Sequence, residues 1–501
     1  MNSRLHTAAA SASMLFLATV MVSGQTRYKV TTPIPSDITT PDKVDTRMGT
    51  LNFFDGVPTE ETASKVYDQI DFSRGIEVFL NGIPGASMVA IRTGSRAVGG
   101  VDGTVGIFQN LMDSKSLFLT GNTESIYYAT WIDLKNGPIV VESPPNVLGV
   151  VNDFWFRYVC DLGNAGSDKG KGGKYLILPP GYKGPIPKGY FVFKSPTYGN
   201  LVLGRGFMKD GLPKAAAESI RQHMRVYPLS EATQPHPPKF VELSGREMNT
   251  VHSNDFRFDE ELNQIVQEEP EDSYGPDMMG LFNAIGMVKG KPFAPDARMK
   301  AILTDAVAVG NAVARSIDFR NRSSEAKIYP DRHWNTPFMG GSYQWLTKGG
   351  ARNFDARTMF FYAATVNTPA MAVAMPGIGS QYALANFDSK GDVLDGGKTY
   401  RLRVPANVPV KDFWSIVLYD PQTRSMLQTD QQFPSFSSET SPKKNADGSV
   451  DVYFSPTRPA DAANWVQTIP GKSWFTIFRL YGPLQPWFDR SWKLNDFERV
   501  D

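Results

Sequence analysis

The sequence predicts a mainly β protein with a helical insert, organised as two β-sandwich or jelly-roll-like domains that are joined by helices. Short β-branched and apolar runs alternate with Gly- and Pro-rich turns over residues 106–206, a spacing typical of sandwiches and barrels. Similar runs return from about residue 358 onwards. Between them, residues 296–317 carry apolar side chains at three- and four-residue steps, which indicates a helix with one buried face. A chain of 501 residues also exceeds one ordinary core, so two or three domains are expected.

The first 24 residues have the pattern of a secretory signal peptide. Arg4 supplies the positive charge, residues 14–22 form a short apolar run, and small residues follow at 23–24. The apolar run is shorter than the roughly 20 residues that a membrane span needs. We therefore expect a periplasmic or secreted protein with no stable membrane span after cleavage, and a retained single-span anchor is the alternative.

Four further segments follow the signal. Residues 25–55 are rich in Thr, Pro and Asp and predict an extended arm. Residues 56–206 predict a β domain preceded by a helix over 60–80, which Thr59 caps and the sequence Gly-Ile-Pro-Gly at 82–85 ends. Residues 207–340 predict a helical linker with helices over 214–225, 258–268, 278–287 and 296–317, the last capped by Asp296. Residues 341–501 predict a second β domain, which includes a strand over 359–366.

The stretch over residues 122–145 combines aromatic side chains with an acid. It predicts two strands about a turn at Lys135-Asn136-Gly137. Because side chains alternate along a strand, one face of the first strand carries Tyr127, Ala129, Trp131 and Asp133, and the other carries Tyr128, Thr130 and Ile132. The first face is either one wall of a ligand site, with Tyr127, Trp131 and Asp133, or one side of a sandwich core.

Charge and cysteine content exclude some functions. The formal net charge is +1, and it falls to zero when a signal containing Arg4 is removed. A neutral chain lacks the basic field that binds phosphate backbones, so we expect no nucleic-acid partner. The single cysteine, Cys160, has no partner for an internal disulfide, and its apolar neighbours favour a buried thiol.

Standard cofactor and metal motifs are nearly absent. The sequence Gly-Lys-Gly-Gly-Lys at 170–174 lacks the spacing of a phosphate-binding loop, and no two histidines have metal-ligand spacing. No cofactor is therefore predicted. Asp388, Asp392 and Asp395 could hold calcium, although they do not follow the order of an EF-hand, and a polar hairpin is the alternative.

Acid–base chemistry has a small set of candidate residues. Asp133, Tyr127 and His333 are the predicted proton carriers, and His333 stands in Asp331-Arg332-His333-Trp334, where an imidazole adjoins an acid and a cation. Arginine holds anions through its fork of donors, and aromatic rings offer stacking faces. The predicted ligand-binding residues are Trp131, Arg332, Arg357, Tyr362 and Trp414. The alternative is a surface pair of Asp331 and Arg332 beside a histidine without a role.

Long ordered motifs carry a family resemblance. The sequences NTESIYYATWIDLKNGPIVVESPP, GKGGKYLILPPGYKGPIP and YFVFKSPTYGNLVLGR resemble the bacterial domain-of-unknown-function family 1254. The sequences VPVKDFWSIVLYDPQTRSML, DGSVDVYFSP and NWVQTIPGKSWFTIFRLYGPLQPW resemble family 1214, its usual C-terminal companion. Together with the linking helix, these stretches cover most of the chain after residue 55.

The resemblance implies two β-sandwich domains joined by helices, in proteins that are often secreted and often homo-oligomeric, but it implies no reaction. The recurring polar positions of the two families fall on Asn122, Tyr127, Asp133, Arg205, Arg357, Tyr362, Trp414, Asp420 and Arg479. Catalytic and structural roles cannot be separated among these residues from the sequence.

Two functions are compatible with the sequence. The first is an enzyme that acts by acid–base chemistry on a small organic or sugar-like substrate, in a cleft between the β domains. The second is a non-catalytic ligand-binding, structural or assembly protein of the envelope, in which aromatic residues form cores and Arg–Asp pairs join sheets. The mutual positions and the burial of the candidate residues distinguish the two.

Overall fold

The computed structural model describes residues 29–208 and 212–500. The chain divides into two compact units, of which the first ends at Tyr67 and the second begins at Asp68. The first unit contains a small antiparallel sheet of three strands, β1 (Lys43–Thr46), β2 (Gly49–Phe54) and β3 (Val57–Pro58). The predicted signal peptide lies outside the described residues, so its cleavage and the location of the protein stay predictions. The oligomeric state also stays a prediction.

Helix α1 (Glu60–Ala97) is the longest in the described part of the chain. The hydroxyl of Thr59 accepts a hydrogen bond of 3.2 Å from the backbone N–H of Thr62, so the predicted cap is confirmed. The predicted end at residues 82–85 is wrong, because the helix continues through Pro84.

Close packing explains why Gly82 and Gly85 lie inside α1 and do not end it. A Cβ atom on Gly82 would lie 2.4 Å from Leu262, and one on Gly85 would lie 2.6 Å from Trp155. These glycines are contact points, where only a missing side chain lets the neighbouring elements approach. Burial of residues 78–91 then outweighs the low helix propensity of Gly, which is about 1 kcal/mol per residue.

The first β-sandwich follows α1. Its strands are β4 (Thr104–Ile107), β5 (Ser116–Leu117), β6 (Ser125–Asp133), β7 (Ile139–Ser143), β8 (Val147–Asp153), β9 (Tyr158–Gly163), β10 (Gly173–Leu178), β11 (Phe191–Lys194), β12 (Gly199–Phe207) and, after helix α2 (Lys214–His223), β13 (Arg225–Pro228). One sheet has the order β11-β10-β7-β13. The other has six strands, in which β4-β6-β12-β8-β9 follow an outer strand, β14 (Lys239–Glu242). Strand β5 pairs with β15 (Met248–Asn249).

A helical segment connects the sandwiches. It contains α3 (Arg257–Glu268), α4 (Pro276–Ala284) and α5 (Ala297–Phe319). The carboxylate of Asp296 accepts a hydrogen bond of 2.8 Å from the N–H of Met299, so the predicted cap of α5 is confirmed. Helices were predicted in each of these regions, and their bounds differ from the predicted ones by a few residues.

The second sandwich has the strands β16 (Trp334–Asn335), β17 (Ser380–Ala385), β18 (Tyr400–Val404), β19 (Trp414–Tyr419), β20 (Ser435–Ser437), β21 (Val450–Ser455), β22 (Trp465–Gln467), β23 (Phe475–Tyr481) and β24 (Glu498–Arg499). Helices α6 (Phe354–Ala363) and α7 (Pro369–Ala372) precede β17, and α8 (Gln485–Phe488) follows β23. The sheets have the orders β16-β17-β23-β19-β20 and β22-β21-β18-β24. The predicted class, β-sandwiches with helices between them, is confirmed.

The strand predicted over residues 359–366 is wrong, because these residues belong largely to α6. The side chain of Asn353 caps this helix by accepting a hydrogen bond of 3.0 Å from the N–H of Ala356. Residues 356–363 are all buried, Arg357 and Thr358 included, so this mostly apolar run has no exposed face and no helical period. Such a run does not distinguish a buried helix from a strand, and the cap was the signal in the sequence.

Strands β6 and β7, which enclose the predicted turn, belong to different sheets. The alternation predicted for β6 is confirmed. Tyr128 and Ile132 pack into the core between the two sheets of the first sandwich. Tyr127 and Trp131 point the opposite way, into a second core that also contains α1, α3, α5 and α6. One face of each of the strands β17, β19 and β23 also packs into that second core, which therefore connects the two sandwiches.

Within residues 29–208 and 212–500, no helix is both long enough and apolar enough to span a bilayer.

Candidate functional site

A cavity of about 100 Å³ lies between the six-stranded sheet of the first sandwich and the five-stranded sheet of the second. Strands β6, β8, β9 and β12 contribute to one wall, and β17 and β23 contribute to the facing wall. Helices α6 and α7 and the segment between them complete the lining. The cavity is comparable with an engineered cavity of about 150 Å³ that binds benzene, so it suits a small ligand.

Strand register brings an arginine into each wall. Arg205 on β12 stands opposite Tyr127 on β6 and Leu148 on β8, in the middle of its sheet. Arg479 on β23 stands opposite Tyr382 on β17. All five side chains line the cavity. Two guanidinium groups from two sheets therefore face one space.

Arg479 is anchored at one end of its guanidinium group. Its Nη2 donates a hydrogen bond of 2.6 Å to the backbone carbonyl of Thr120, and its cation lies 5.6 Å from the ring centre of Tyr419. The side chain is 3% exposed, and its Nη1 has no hydrogen-bond partner among the described residues. A buried donor without a partner costs about 1–3 kcal/mol, more when it is charged, so this atom is available to a ligand.

Arg205 is held more loosely. Its cation lies 5.9 Å from the ring centre of Tyr481, and its side chain forms no hydrogen bond to the residues that the structure describes. The hydroxyl of Ser380, also in the cavity wall, is buried and lacks a partner within the same ranges. Two arginines and one hydroxyl thus have unused donors around the same space.

The compensating negative charge near the arginines is small. Glu124 is 4% exposed, and burial raises the pKa of its carboxyl group, although Arg479 opposes this shift. Burial likewise raises the pKa of Tyr127, so its phenol is neutral at physiological pH. The amide of Asn122 donates a hydrogen bond of 2.8 Å to that phenol oxygen. Two guanidinium groups facing one carboxyl group leave this end of the cavity positive.

The segment after α6 contains a strained residue in the cavity wall. Val366 has a φ of 64°, which is unfavourable for a β-branched side chain. Asn152 holds the next residue in place: its Nδ2 donates a bond of 2.9 Å to the carbonyl of Asn367, and its Oδ1 accepts one of 3.1 Å from the N–H of Asn367. Backbone strain of this kind, which neighbouring contacts keep in place, occurs most often at ligand sites and active sites of proteins.

Two further acids line the cavity away from the arginines. Burial raises the pKa of Asp161 to about 6, and hydrogen bonds from Thr368 and Tyr158 oppose this shift. Burial raises the pKa of Asp318 to about 7, against the charges of Arg424 and Arg315. Both groups titrate near neutrality, the range in which a carboxyl group exchanges protons most readily.

One of the eight predicted site residues, Tyr127, lines the cavity, and the other seven do not. Asp133 lies at the end of β6, where its side chain is 37% exposed and accepts a bond of 2.9 Å from the N–H of Lys135. His333 is partly buried, and its backbone N–H donates a bond of 2.9 Å to Asp496. No hydrogen bond within the described ranges joins the three predicted proton carriers.

The predicted ligand-binding residues lie in other surroundings. Trp131 packs against Phe154, and Trp414 stacks on Phe478. The phenol of Tyr362 donates a bond of 2.8 Å to Asn311. These contacts are those of packed core residues.

The two predicted arginines, Arg357 and Arg332, lie outside the cavity lining. Arg357 donates a bond of 3.1 Å to the hydroxyl of Tyr274, and a shorter one to Asn81. Arg332 lies beside His333, and its Nε has no partner among the residues described.

The acids proposed for calcium act within turns. Asp388 accepts bonds of 2.9 Å and 3.0 Å from the N–H groups of Lys390 and Asp392, and Asp395 accepts one of 2.8 Å from Gly397. Across residues 29–208 and 212–500, no group of three or more His, Cys, Asp or Glu side chains has the geometry of a metal site.

The family resemblance names Arg205 and Arg479 as recurring polar positions, and neither is among the predicted site residues. A signal was present in each local sequence. Each arginine interrupts an apolar strand, in Gly199–Phe207 and in Phe475–Tyr481. A charge at the centre of such a strand is rarely buried without a partner or a ligand.

Comparison with known families agrees with this architecture. Residues 103–228 match DUF1254, and residues 379–485 match DUF1214, both described as proteins of unknown function. The two matches stand in the order that the sequence motifs predicted, DUF1254 before DUF1214. Arg205 lies within the first match and Arg479 within the second, so both domains contribute to the cavity.

Solved structures resemble the chain in fold. The VPA0106 protein of Vibrio parahaemolyticus is 18% identical, with a TM-score of 0.52, over 86% of this chain and all of that chain. An uncharacterized protein of Burkholderia cenocepacia is 12% identical, with a TM-score of 0.38, over 88% of this chain and 97% of that one. No curated protein matches the chain at a significant level. The first likeness supports the fold and carries no information on activity.

Proposed function

We propose that the chain binds a small organic anion in the cavity between β12 and β23, and that Arg205 and Arg479 hold its negative group. The observation that carries this proposal is the pair of guanidinium groups that line one cavity. Nη1 of Arg479 has no partner among the described residues, and the Arg205 side chain forms no hydrogen bond to them. Burial of a charge without a partner is unfavourable, and a carboxylate matches the planar fork of arginine.

The rest of the lining defines the remainder of the ligand. Apolar side chains dominate it, among them Leu203, Phe338, Met359 and Phe360. Few polar groups on a mostly apolar wall are typical of sites for small organic molecules. The ligand therefore combines one anionic group with a short apolar body.

Paired ligands test this proposal. Butanoate and hexanoate are compared with butanamide and hexanamide, which have similar shapes and no charge, by calorimetry and by thermal unfolding. We expect the acids to bind and the amides to bind at least tenfold more weakly. An acid at 100 times its Kd stabilises the folded state by about 2.7 kcal/mol. Equal binding of acid and amide, or no binding of either, contradicts the proposal.

Arginine variants assign the binding to the cavity. Arg479→Gln is expected to lose the preference for acid over amide. The matched control is Arg96→Gln, since the Arg96 side chain is 45% exposed and pairs with Asp102 at the surface. Loss of binding in the control as well would place the anion elsewhere.

A second candidate function is acid–base catalysis on the bound anion. It is favoured by Asp161, which lines the same cavity and has a pKa raised to about 6 by burial. A group that titrates there serves as acid or base near neutral pH. Turnover of a bound acid that Asp161→Asn abolishes, while binding persists, would support catalysis over simple binding.

A further inference from the structure

Asp161 on β9 is a second polar end of the cavity. The residue is 7% exposed, and its carboxylate forms no salt bridge with the described residues. The phenol of Tyr158 donates a bond of 3.3 Å to Oδ2, which is long for an O–H donor. Thr368 is a second donor to the same carboxyl group. A carboxylate has about four acceptor positions, so two donors leave room for a hydrogen bond from a ligand.

Strand register fixes the position of Asp161 relative to Arg205. Arg205 stands opposite Leu148, and Leu203 stands opposite Val150, which in turn stands opposite Asp161. Asp161 is therefore two strands away from Arg205 and two residues further along, on the same face of the sheet. With the usual spacings of strands and residues, the two Cα atoms are about 12 Å apart.

The surface between these ends is apolar. Leu148, Val150 and Leu203 separate the two residues on the sheet, and Phe338 and Phe360 lie in the same lining. The other acid in the cavity wall, Asp318, experiences the charges of Arg424 and Arg315, whereas the pKa of Asp161 is shifted by burial and hydrogen bonds and by no cation in the described ranges. The cavity thus has a cationic end, an apolar middle and an acidic end.

We propose that the bound anion is bifunctional and carries, at the end remote from its carboxylate, a hydroxyl or ammonium group that donates a hydrogen bond to Asp161. This inference rests on the proposed function, because the arginines must hold the carboxylate for the other end to reach β9. A site built around a hydrogen bond to a ligand discriminates strongly against analogues that lack the donor, since its own polar group is then left unpaired.

A series of matched acids tests the inference on the wild-type protein. Butanoate, 4-hydroxybutanoate and 4-aminobutanoate are compared by calorimetry, as are hexanoate, 6-hydroxyhexanoate and 6-aminohexanoate. We expect at least one substituted acid to bind tenfold or more tightly than its parent acid. Equal or weaker binding of both substituted acids in both series overturns the inference.

Variants at Asp161 identify the donor. Asp161→Leu is expected to remove the preference for either substituted acid over its parent acid. Asp161→Asn keeps an oxygen acceptor without the charge, so a hydroxyl preference should persist and an ammonium preference should disappear. The control is Asp102→Asn, whose native side chain is 41% exposed. A preference that survives in Asp161→Leu refutes the assignment to this residue.

The two proposals fail in different ways. If none of the six acids binds, the proposed anion site is wrong. If the parent acids bind as tightly as their substituted partners, the anion site stands and only the role of Asp161 is wrong. Circular dichroism and the melting temperature of each variant, measured without ligand, show whether lost binding reflects lost folding.

Discussion

Arg205 and Arg479 lie on inner strands of two different sheets, and both side chains line one cavity. Their anchoring differs. Arg479 donates to the carbonyl of Thr120 and so joins the second sandwich to the first, whereas Arg205 forms no hydrogen bond to the described residues. The two arginines therefore contribute differently to stability, although we propose the same ligand for both.

The first prediction separates stability from binding. Arg205→Met is expected to raise the melting temperature of the ligand-free protein, because it replaces a cation lacking hydrogen bonds by an apolar side chain of similar length. Arg479→Met is expected to lower it, because the carbonyl of Thr120 loses its donor, at a cost of about 1–3 kcal/mol. Both variants should lose anion binding in calorimetry. A stabilised Arg205→Met that still binds hexanoate as wild type would contradict the proposed site.

The second prediction concerns the glycines of the helices. Gly85→Ala places a Cβ atom 2.6 Å from both Ile265 and Trp155, so we expect a loss of about 1–3 kcal/mol despite the better helix propensity. Gly280 in α4 is the matched control, since a Cβ atom there has no neighbour within 4 Å. Gly280→Ala should gain about 1 kcal/mol. Urea denaturation of both variants checks the pair, and equal effects would refute close packing as the role of Gly85.

The third prediction concerns pH. Burial, with a smaller effect from Glu260, raises the pKa of Asp259 in α3 to about 8. In the unfolded chain an aspartate has a pKa of about 3.9, so the folded state holds the proton more tightly. Stability from this group is complete below about pH 4 and is lost as pH rises towards 8, by an amount on the order of 5 kcal/mol.

Asp259→Asn tests this pH dependence. The amide resembles the protonated acid, so the variant should lose much less stability than wild type between pH 5 and pH 8 in urea denaturation series. Asp305→Asn, at an exposed position of α5, is the control and should follow wild type. Parallel curves for wild type and Asp259→Asn would show that Asp259 is ionised in the folded protein at neutral pH.

The fourth prediction concerns backbone strain in the cavity wall. Val366 has a φ of 64°, and glycine adopts this conformation without strain. In Val366→Gly, a strain of about 1–3 kcal/mol is released and offsets the lost burial of the side chain. Val150→Gly, at another buried position of the lining, has no such compensation. We expect Val150→Gly to be less stable than Val366→Gly by at least 1 kcal/mol in chemical denaturation, and the opposite order would show that Val366 is unstrained.

Local patterns predicted much of the fold. The sandwich strands, the face of β6 that carries Tyr127 and Trp131, and the caps Thr59 and Asp296 all follow from alternation, periodicity and capping chemistry within a few residues. Where the local pattern was ambiguous, prediction failed. Residues 356–363 of α6 have no exposed face that would give a helical period. The glycines of α1 resemble the end of a helix, and only the structure shows that Leu262 and Trp155 pack against them.

The sequence predicted less of the candidate site than of the fold. Sequence patterns indicate a site where acid–base side chains are close together in the chain, such as Asp133 with Tyr127, or Arg332 with His333. In the structure, Asp133 accepts a hydrogen bond in a turn, and Tyr127 lines the cavity. The residues with unused donors came from strands that are distant in the chain, and an arginine inside an apolar strand was the available signal.

The sequence by itself determined the resemblance to the two domain families, the alternation of strands and helices, and the presence of charged residues inside apolar strands, because these depend on neighbouring residues. Only the tertiary structure decided that Arg205, Arg479 and Asp161 line one cavity. Their meeting depends on the register of β12 against β8 and β9, and on the packing of two sheets about a shared core. A one-residue shift in register turns a side chain to the opposite face of its sheet, so the site exists only once the whole fold has set the pairing.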